Sequence, residues 1–414
     1  MADRWLACRR CGSEFELGPY FLGCPHCVKD GAPAALEVHY DLKKARRALV
    51  GGALDCNQSG LWRFRALLPV REPARAVTLG EGGTALVSVR RLNETIGLRE
   101  LYLKNESQNP TWSYKDRFNA VSISVARELG FAKIASSSTG NHGASAAAYA
   151  AASGMRCVVL LPDETPELLC DLIQAYGGQA IVTRWQARGA FLHTLVRDHG
   201  WFPAATFAPM PVGSPYGIEG YKTIAFEMIL QSRHAPLDMV FVPVGSGDGL
   251  YGLYKGWQEF RKLGLTDHVP RFVACQAEGA NPVVRASRAQ ASTVAPLDHA
   301  WSIATSTREE TAGDHALSAI YGSNGFALDV TDAEIRGAMR LLARHGIAAE
   351  AASALPVAGV IKATTSALVP GGARVAALIT SGLIKWPRHL AEIGERATTI
   401  SSSFDELRDV VSID

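Results

Sequence analysis

What the 414-residue chain lacks narrows it first. No apolar stretch approaches the roughly 20 residues that span a bilayer, and the start Met1-Ala2-Asp3-Arg4-Trp5 has neither the charged nor the apolar region of a secretory signal. A cytoplasmic protein with no membrane partner is expected. A charge excess is missing too: 42 Lys and Arg against 40 Asp and Glu leave a net charge of +2. Holding a phosphate backbone needs a concentrated basic face. Only short basic runs occur, such as Arg9-Arg10 and Lys43-Lys44 with Arg46-Arg47. These read as solvated faces, so no nucleic-acid partner is expected. Internal repeats and long low-complexity segments are absent, which excludes a repeat architecture.

What is present suits a large folded enzyme. A hydrophobic content of 47% supplies sizeable cores, and the length corresponds to about two to three domains. Short apolar runs at Leu101–Lys104, Arg156–Leu161, Gln179–Thr183, Met239–Val244, Phe272–Gln276 and Val375–Thr380 alternate with helical patterns. That alternation implies an α/β fold of parallel sheets with helices on both faces.

Of the eight cysteines, four form the pairs Cys8-x2-Cys11 and Cys24-x2-Cys27. Each two-residue spacer lets both thiolates turn toward one ion, so a tetrahedral zinc site is expected. Four closed thiolates would make it structural. Cys56, Cys157, Cys170 and Cys275 lack such spacing and read as buried free thiols. Gly31 and Pro33 mark a linker between this ribbon-like segment and the rest.

The most informative residue is Lys115, in Asn109-Pro110-Thr111-Trp112-Ser113-Tyr114-Lys115-Asp116-Arg117 at the start of an apolar helical pattern. A lone lysine there is ordinarily a solvated surface residue, so its partners decide. The small-residue run Ser136-Ser137-Ser138-Thr139-Gly140-Asn141-His142-Gly143 follows an apolar run and opens the Ala-rich helix 144–153. It offers backbone amides at a helix start, where a carboxylate would fit. The segment Val242-Pro243-Val244-Gly245-Ser246-Gly247-Asp248-Gly249 takes a strand into a glycine-rich turn, with a helix from about Leu250, and such a turn presents several amides to a phosphate. Ile379-Thr380-Ser381-Gly382 ends a strand with hydroxyls that could meet a pyridine nitrogen.

Together these segments resemble the fold type II, tryptophan synthase beta family of pyridoxal phosphate enzymes, and within it the threonine synthase group. Gly60-Leu61-Trp62-Arg63-Phe64, Leu79-Gly80-Glu81-Gly82-Gly83-Thr84, Ile218-Glu219-Gly220-Tyr221-Lys222-Thr223 and Glu350-Ala351-Ala352-Ser353-Ala354 extend the likeness, in the family's order, over about residues 60–387. The resemblance implies two three-layer parallel-sheet domains plus the N-terminal ribbon. The expected bounds are 1–35 for the ribbon, 36–104 with 235–414 for a large cofactor-phosphate domain, and 105–234 for a small domain with the Schiff-base lysine. It also implies a homodimer, and a structural appendage in the ribbon.

By the same resemblance Lys115 holds pyridoxal phosphate and removes the alpha proton, and Asn141 meets the cofactor's ring hydroxyl oxygen. Gly245, Ser246, Gly247, Asp248 and Gly249 hold its phosphate. Ser138, Thr139 and His142 surround the substrate carboxylate. Thr380, with Ser381 as the close alternative, faces the pyridine nitrogen. A neutral hydroxyl there, unlike an aspartate, would not hold the ring protonated, which favours elimination and replacement over transamination.

Several positions depart from the threonine synthase pattern. Trp112 replaces the usual glycine, bringing an indole near the substrate entrance or a domain interface. Asp248 would repel a phosphate and is expected to point away or cap the following helix. His142 is read as either an acid–base group or a structural histidine. Threonine synthases of similar pattern commonly carry an arginine before Ile/Leu-Glu-Gly, and a serine upstream, to clamp the phosphate of phosphohomoserine. Gly217 and Val212 stand there, with Lys222 or Arg117 as other sources of charge. The expected activity is therefore beta or gamma elimination or replacement on another amino acid. Authentic threonine synthase, an amino acid ammonia-lyase, cysteate synthase-like sulfite exchange and a non-catalytic interaction module are the alternatives.

Overall fold

The computed structural model describes residues 3–30, 33–50, 60–205, 214–232, 235–394 and 397–411. Cys56 and Val212 lie outside the described residues. Strands β1 (Arg4–Cys8), β2 (Glu14–Phe15) and β3 (Leu36–Tyr40) form a small antiparallel sheet in the order β2-β1-β3. Its third strand begins just past residue 35.

The larger sheet starts with β4 (Leu86–Ser88) and β5 (Glu100–Asn105). The chain then leaves to build a second sheet from β6 (Lys133–Ser137), β7 (Arg156–Pro162), β8 (Gln179–Thr183) and β9 (Phe202–Pro203). It returns to the first with β10 (Met239–Pro243), β11 (Arg271–Ala277), β12 (Phe326–Val330) and β13 (Arg374–Ile379). The larger sheet runs β12-β11-β10-β13-β5-β4 and the smaller β8-β7-β6-β9. Every pairing in them is parallel except β4 on the edge.

The central strands are apolar throughout because helices cover both faces: every residue of β10 and all but the first of β13 are buried. The expected strands appear within about one or two residues of their predicted ends. β4, β9 and β12 do not stand out in the sequence. β9 is two residues long, and β12 carries the buried Asp329, which pairs with Arg288 at 2.8 Å and interrupts an apolar pattern.

Parallel pairing aligns the carboxyl ends of the strands. The segments after β5, β6, β10 and β13 all leave from such ends, where ligands bind in open α/β sheets. Those segments carry Lys115, Asn141, the Gly245–Gly249 turn and Thr380.

Candidate active site

A cavity of about 520 Å³ opens where these strand ends face one another, within the size range of small-molecule sites. Its wall contains Lys115, Ser138, Thr139, Asn141, His142 and all of Gly245, Ser246, Gly247, Asp248 and Gly249. Trp112, Thr380 and Ser381 are not in that wall.

Lys115 is the first residue of the helix Lys115–Glu128 and is half-buried. Its Nζ lies 4.9 Å from the Tyr114 ring centroid and 5.7 Å from that of Tyr221. The two rings stack at 4.6 Å, so the amine meets aromatic faces on one side and the cavity on the other. The base of this helix is locked. Arg117, fully buried, donates from Nε to Glu106 at 2.6 Å and from Nη1 and Nη2 to Glu227 at 2.7 Å each. Lys104 reaches the same Glu227 at 2.7 Å. Lys222, also buried, is held between Glu219 and Glu259. Neither Arg117 nor Lys222 lines the cavity.

The second wall is the start of the helix Asn141–Ser153, which begins earlier than its alanines suggest. The cause is Ser138, whose Oγ accepts from the amides of Gly140 at 3.0 Å and Gly143 at 2.8 Å and so caps a turn rich in weak helix formers. Asn141 Nδ2 donates to both oxygens of Glu350, at 3.0 and 2.8 Å, and Trp386 Nε1 donates to the same carboxylate. Asn141 Oδ1 is buried without a protein partner. His142 packs edge-on to Phe118 at 4.7 Å, and its Nε2 has no protein partner. Burial, and then the nearby Lys115 charge, push its pKa down to about 3. The imidazole is neutral at physiological pH.

In the third wall Gly247 has φ +101°, and a Cβ there would sit 2.8 Å from that of Ala316. Only glycine fits this turn into the helix Asp248–Lys262. Asp248 is the first residue of that helix. Its carboxylate lies 3.2 Å from His315 Nε2 and accepts from Ser246 Oγ at 3.2 Å, which gives a cavity-lining carboxylate partners within the protein.

Behind the wall, Thr380 Oγ1 and Ser353 Oγ are 2.8 Å apart, and Ser381 Oγ donates to the Trp112 carbonyl at 3.0 Å. Trp112 is 44% exposed with φ +56°. That left-handed backbone is one that favours glycine over a bulky residue.

Sequence reasoning passed over Tyr114, Tyr221, Trp185, Arg188 and Glu309, all in the cavity wall. Tyr114 and Tyr221 sit inside quoted motifs, and a stacked pair beside a reactive amine could have been suspected from them. Arg188 lies in an ordinary amphipathic helix and carried no signal.

The four Sγ atoms of Cys8, Cys11, Cys24 and Cys27 lie within 4.8 Å of one another, with Cys8–Cys27 and Cys11–Cys24 both at 3.7 Å. Tetrahedral zinc–thiolate bonds of about 2.3 Å separate sulfurs by roughly 3.8 Å, so the donor set fits zinc. The ribbon is not loosely attached. Tyr40 donates to Glu219 at 2.7 Å, Lys255 bridges Glu219 at 2.6 Å and Glu37 at 3.2 Å, and Arg4 Nη1 donates to the Leu68 carbonyl at 2.6 Å. Cys157 and Cys275 are buried, and Cys170 is half-buried.

The family described as pyridoxal-phosphate dependent enzyme matches residues 77–381. Threonine synthase of Methanocaldococcus jannaschii is 35% identical over 98% of this chain and 98% of its own length, and that of Methanosarcina acetivorans is 36% identical with the same coverage. Among solved structures, an L-serine ammonia-lyase from Rhizomucor miehei superposes with a TM-score of 0.64 at 20% identity, over 75% of this chain and 98% of its own. Threonine deaminase isoform 2 from Solanum lycopersicum gives 0.65 at 16% identity, over 86% and 94%. At these identities the solved structures speak for the fold alone.

Proposed function

The chain belongs to the pyridoxal-phosphate dependent enzyme family, and from that premise we propose a threonine synthase-like lyase or synthase acting by beta or gamma elimination or replacement on an amino acid other than phosphohomoserine. The cavity suits the cofactor: a lysine amine, an orphaned buried amide oxygen on Asn141, and a glycine turn at a helix start all face one space. When bound, pyridoxal phosphate supplies the electron sink for the carbanion left at Cα. Lys115 Nζ would hold the cofactor and, as a free base, would take the alpha proton. The amides of the Gly245–Gly249 turn would hold the cofactor's phosphate. Those of Gly140 and Gly143 are used by Ser138, so Thr139, Asn141 and His142 supply amides for the substrate carboxylate. His142 contributes shape and a neutral nitrogen rather than charge.

Thr380 can accept from Ser353 and still donate its own hydrogen to the ring nitrogen, whereas Ser381 would first have to release the Trp112 carbonyl. We also assign structural zinc to the four-cysteine cluster, a cytoplasmic setting that keeps those thiols reduced, and a homodimer. Trp112, being exposed, suits a place at the rim of the site or at an interface.

The observation that carries the substrate reading is at position 217. A Cβ on Gly217 would lie 2.3 Å from the Phe118 ring, so the place of the phosphate-clamping arginine is filled by an aromatic side chain. Arg117 and Lys222 are each committed to two buried carboxylates and cannot replace it. The full-length similarity to archaeal threonine synthases supports the second reading, an authentic threonine synthase. Steady-state kinetics with phosphohomoserine separates the two. Little or no threonine formation is expected, and efficient formation would return the chain to the threonine synthases proper.

A further inference from the structure

This inference rests on reading the cavity as the amino-acid site, and it concerns what one wall recognises. Arg188, the second residue of the helix Ala187–His199, is only 9% exposed yet lines the same cavity as Lys115. Its Nε donates to the Trp185 carbonyl at 3.1 Å, and its guanidinium lies 4.2 Å from the Trp185 ring centroid. Among the described residues no carboxylate comes within ion-pair distance of it. Glu309 and Glu164 act on it only through longer-range attraction.

The contrast with its neighbours is sharp. Arg308, packed over the same indole at 4.0 Å, pairs with Glu164 at 2.9 Å. Arg117, Lys104, Lys222 and Lys255 are each held by buried carboxylates. Arg188 is thus a buried cation to which the described residues give no direct carboxylate partner, a costly arrangement unless a ligand supplies the anion. Its remaining N–H donors form a planar fork that matches an oxyanion, and stacking on Trp185 holds that fork in place.

We propose that Arg188 is a specificity-determining residue that binds a distal anionic group of the substrate, making the substrate an amino acid with a phosphate ester, sulfonate or carboxylate beyond Cβ. The cation comes from a different helix than position 217, so it addresses an anion in another place, and side-chain length decides which amino acid fits.

The test titrates the holoenzyme with amino acids and reads the change in cofactor absorbance. The pairs are O-phosphoserine against serine, phosphohomoserine against homoserine, cysteate against serine, and aspartate against asparagine. The wild type is expected to bind at least one anionic member about 10- to 100-fold more tightly than its neutral partner. The preferred pair tells phosphate, sulfonate and carboxylate apart. Arg188→Gln should erase that preference while leaving the neutral partner's affinity and the resting spectrum unchanged. Should Arg188→Gln lose the cofactor, Arg188→Lys decides: it keeps the charge without the fork, and a preference reduced but present supports the assignment. Equal affinity for both members of every pair in the wild type would overturn the inference, as would full preference in either variant. Efficient conversion of phosphohomoserine to threonine is a separate result that defeats the substrate-shift reading and leaves Arg188 to be judged by its own variants.

Discussion

At the scale of single residues, Lys115 stands between a stacked tyrosine pair and an open cavity, which holds the amine at one point while leaving its far side free to react. Lys115→Ala is expected to keep the fold, to abolish borohydride fixation of the cofactor to one peptide, and to lower turnover by about 10²–10⁴-fold or more, since proton transfer alone accounts for that much. Peptide mapping after reduction, alongside steady-state rates, checks it. A protein that stays colourless with added cofactor would contradict the assignment. Gly217 is the second decisive residue. Arginine there meets the Phe118 ring, so Gly217→Arg should destabilise the protein by about 1–3 kcal/mol through overpacking. Combining it with Phe118→Ala should recover part of that loss and raise threonine formation from phosphohomoserine. Denaturant melts and the coupled assay measure the two effects independently.

At the scale of elements, the joint between β3 and the helix Asp248–Lys262 is electrostatic. Burial raises the pKa of Glu37, but Lys255, the Tyr251 hydroxyl, His39 and Arg9 outweigh it and bring it down to about 2. A carboxylate with a folded pKa below its unfolded value of about 4.5 adds stability that is complete above pH 4.5. That contribution, on the order of 3 kcal/mol, is lost as pH falls toward 2. Urea midpoints of Glu37→Gln should therefore lie below wild type at pH 7, with the gap narrowing below about pH 4.5 and closing only as pH approaches 2. An unchanged gap across that range would show that Glu37 acts by packing rather than by charge. The depressed pKa of His142 works in the same direction: the unfolded imidazole takes a proton near pH 6.5 and the folded one only near 3, so acid disfavours the folded site across that window.

At the scale of the whole molecule, two parallel sheets and a cysteine ribbon are bound into one body by buried ion pairs at the ribbon's base. On the zinc assignment, metal analysis should find about one zinc per chain, and chelation should lower Tm. Replacing Cys8 and Cys11 by serine should leave turnover largely intact, because four thiolate ligands close the site to substrate. Loss of turnover with fold and cofactor retained would make the ribbon part of the chemistry.

The sequence by itself determined the local matters: the α/β alternation, most strands, the paired cysteines, and the four segments that end parallel strands. Each depends on neighbouring residues, through apolar runs, glycine at turns and ligand spacing, so each is legible one segment at a time. Only the tertiary structure decided which charges are free. Arg117, Lys222 and Arg188 are all basic residues within helices, and nothing local tells which of them finds a carboxylate. Packing commits the first two to Glu106, Glu227, Glu219 and Glu259, and leaves the third facing the cavity. The same holds for Phe118 against Gly217, and for Asp248 with His315, partners separated by about a hundred and by 67 residues respectively. The worth of a charge is set by burial and by whatever the fold brings within about 4 Å, quantities that exist only after the chain has closed on itself.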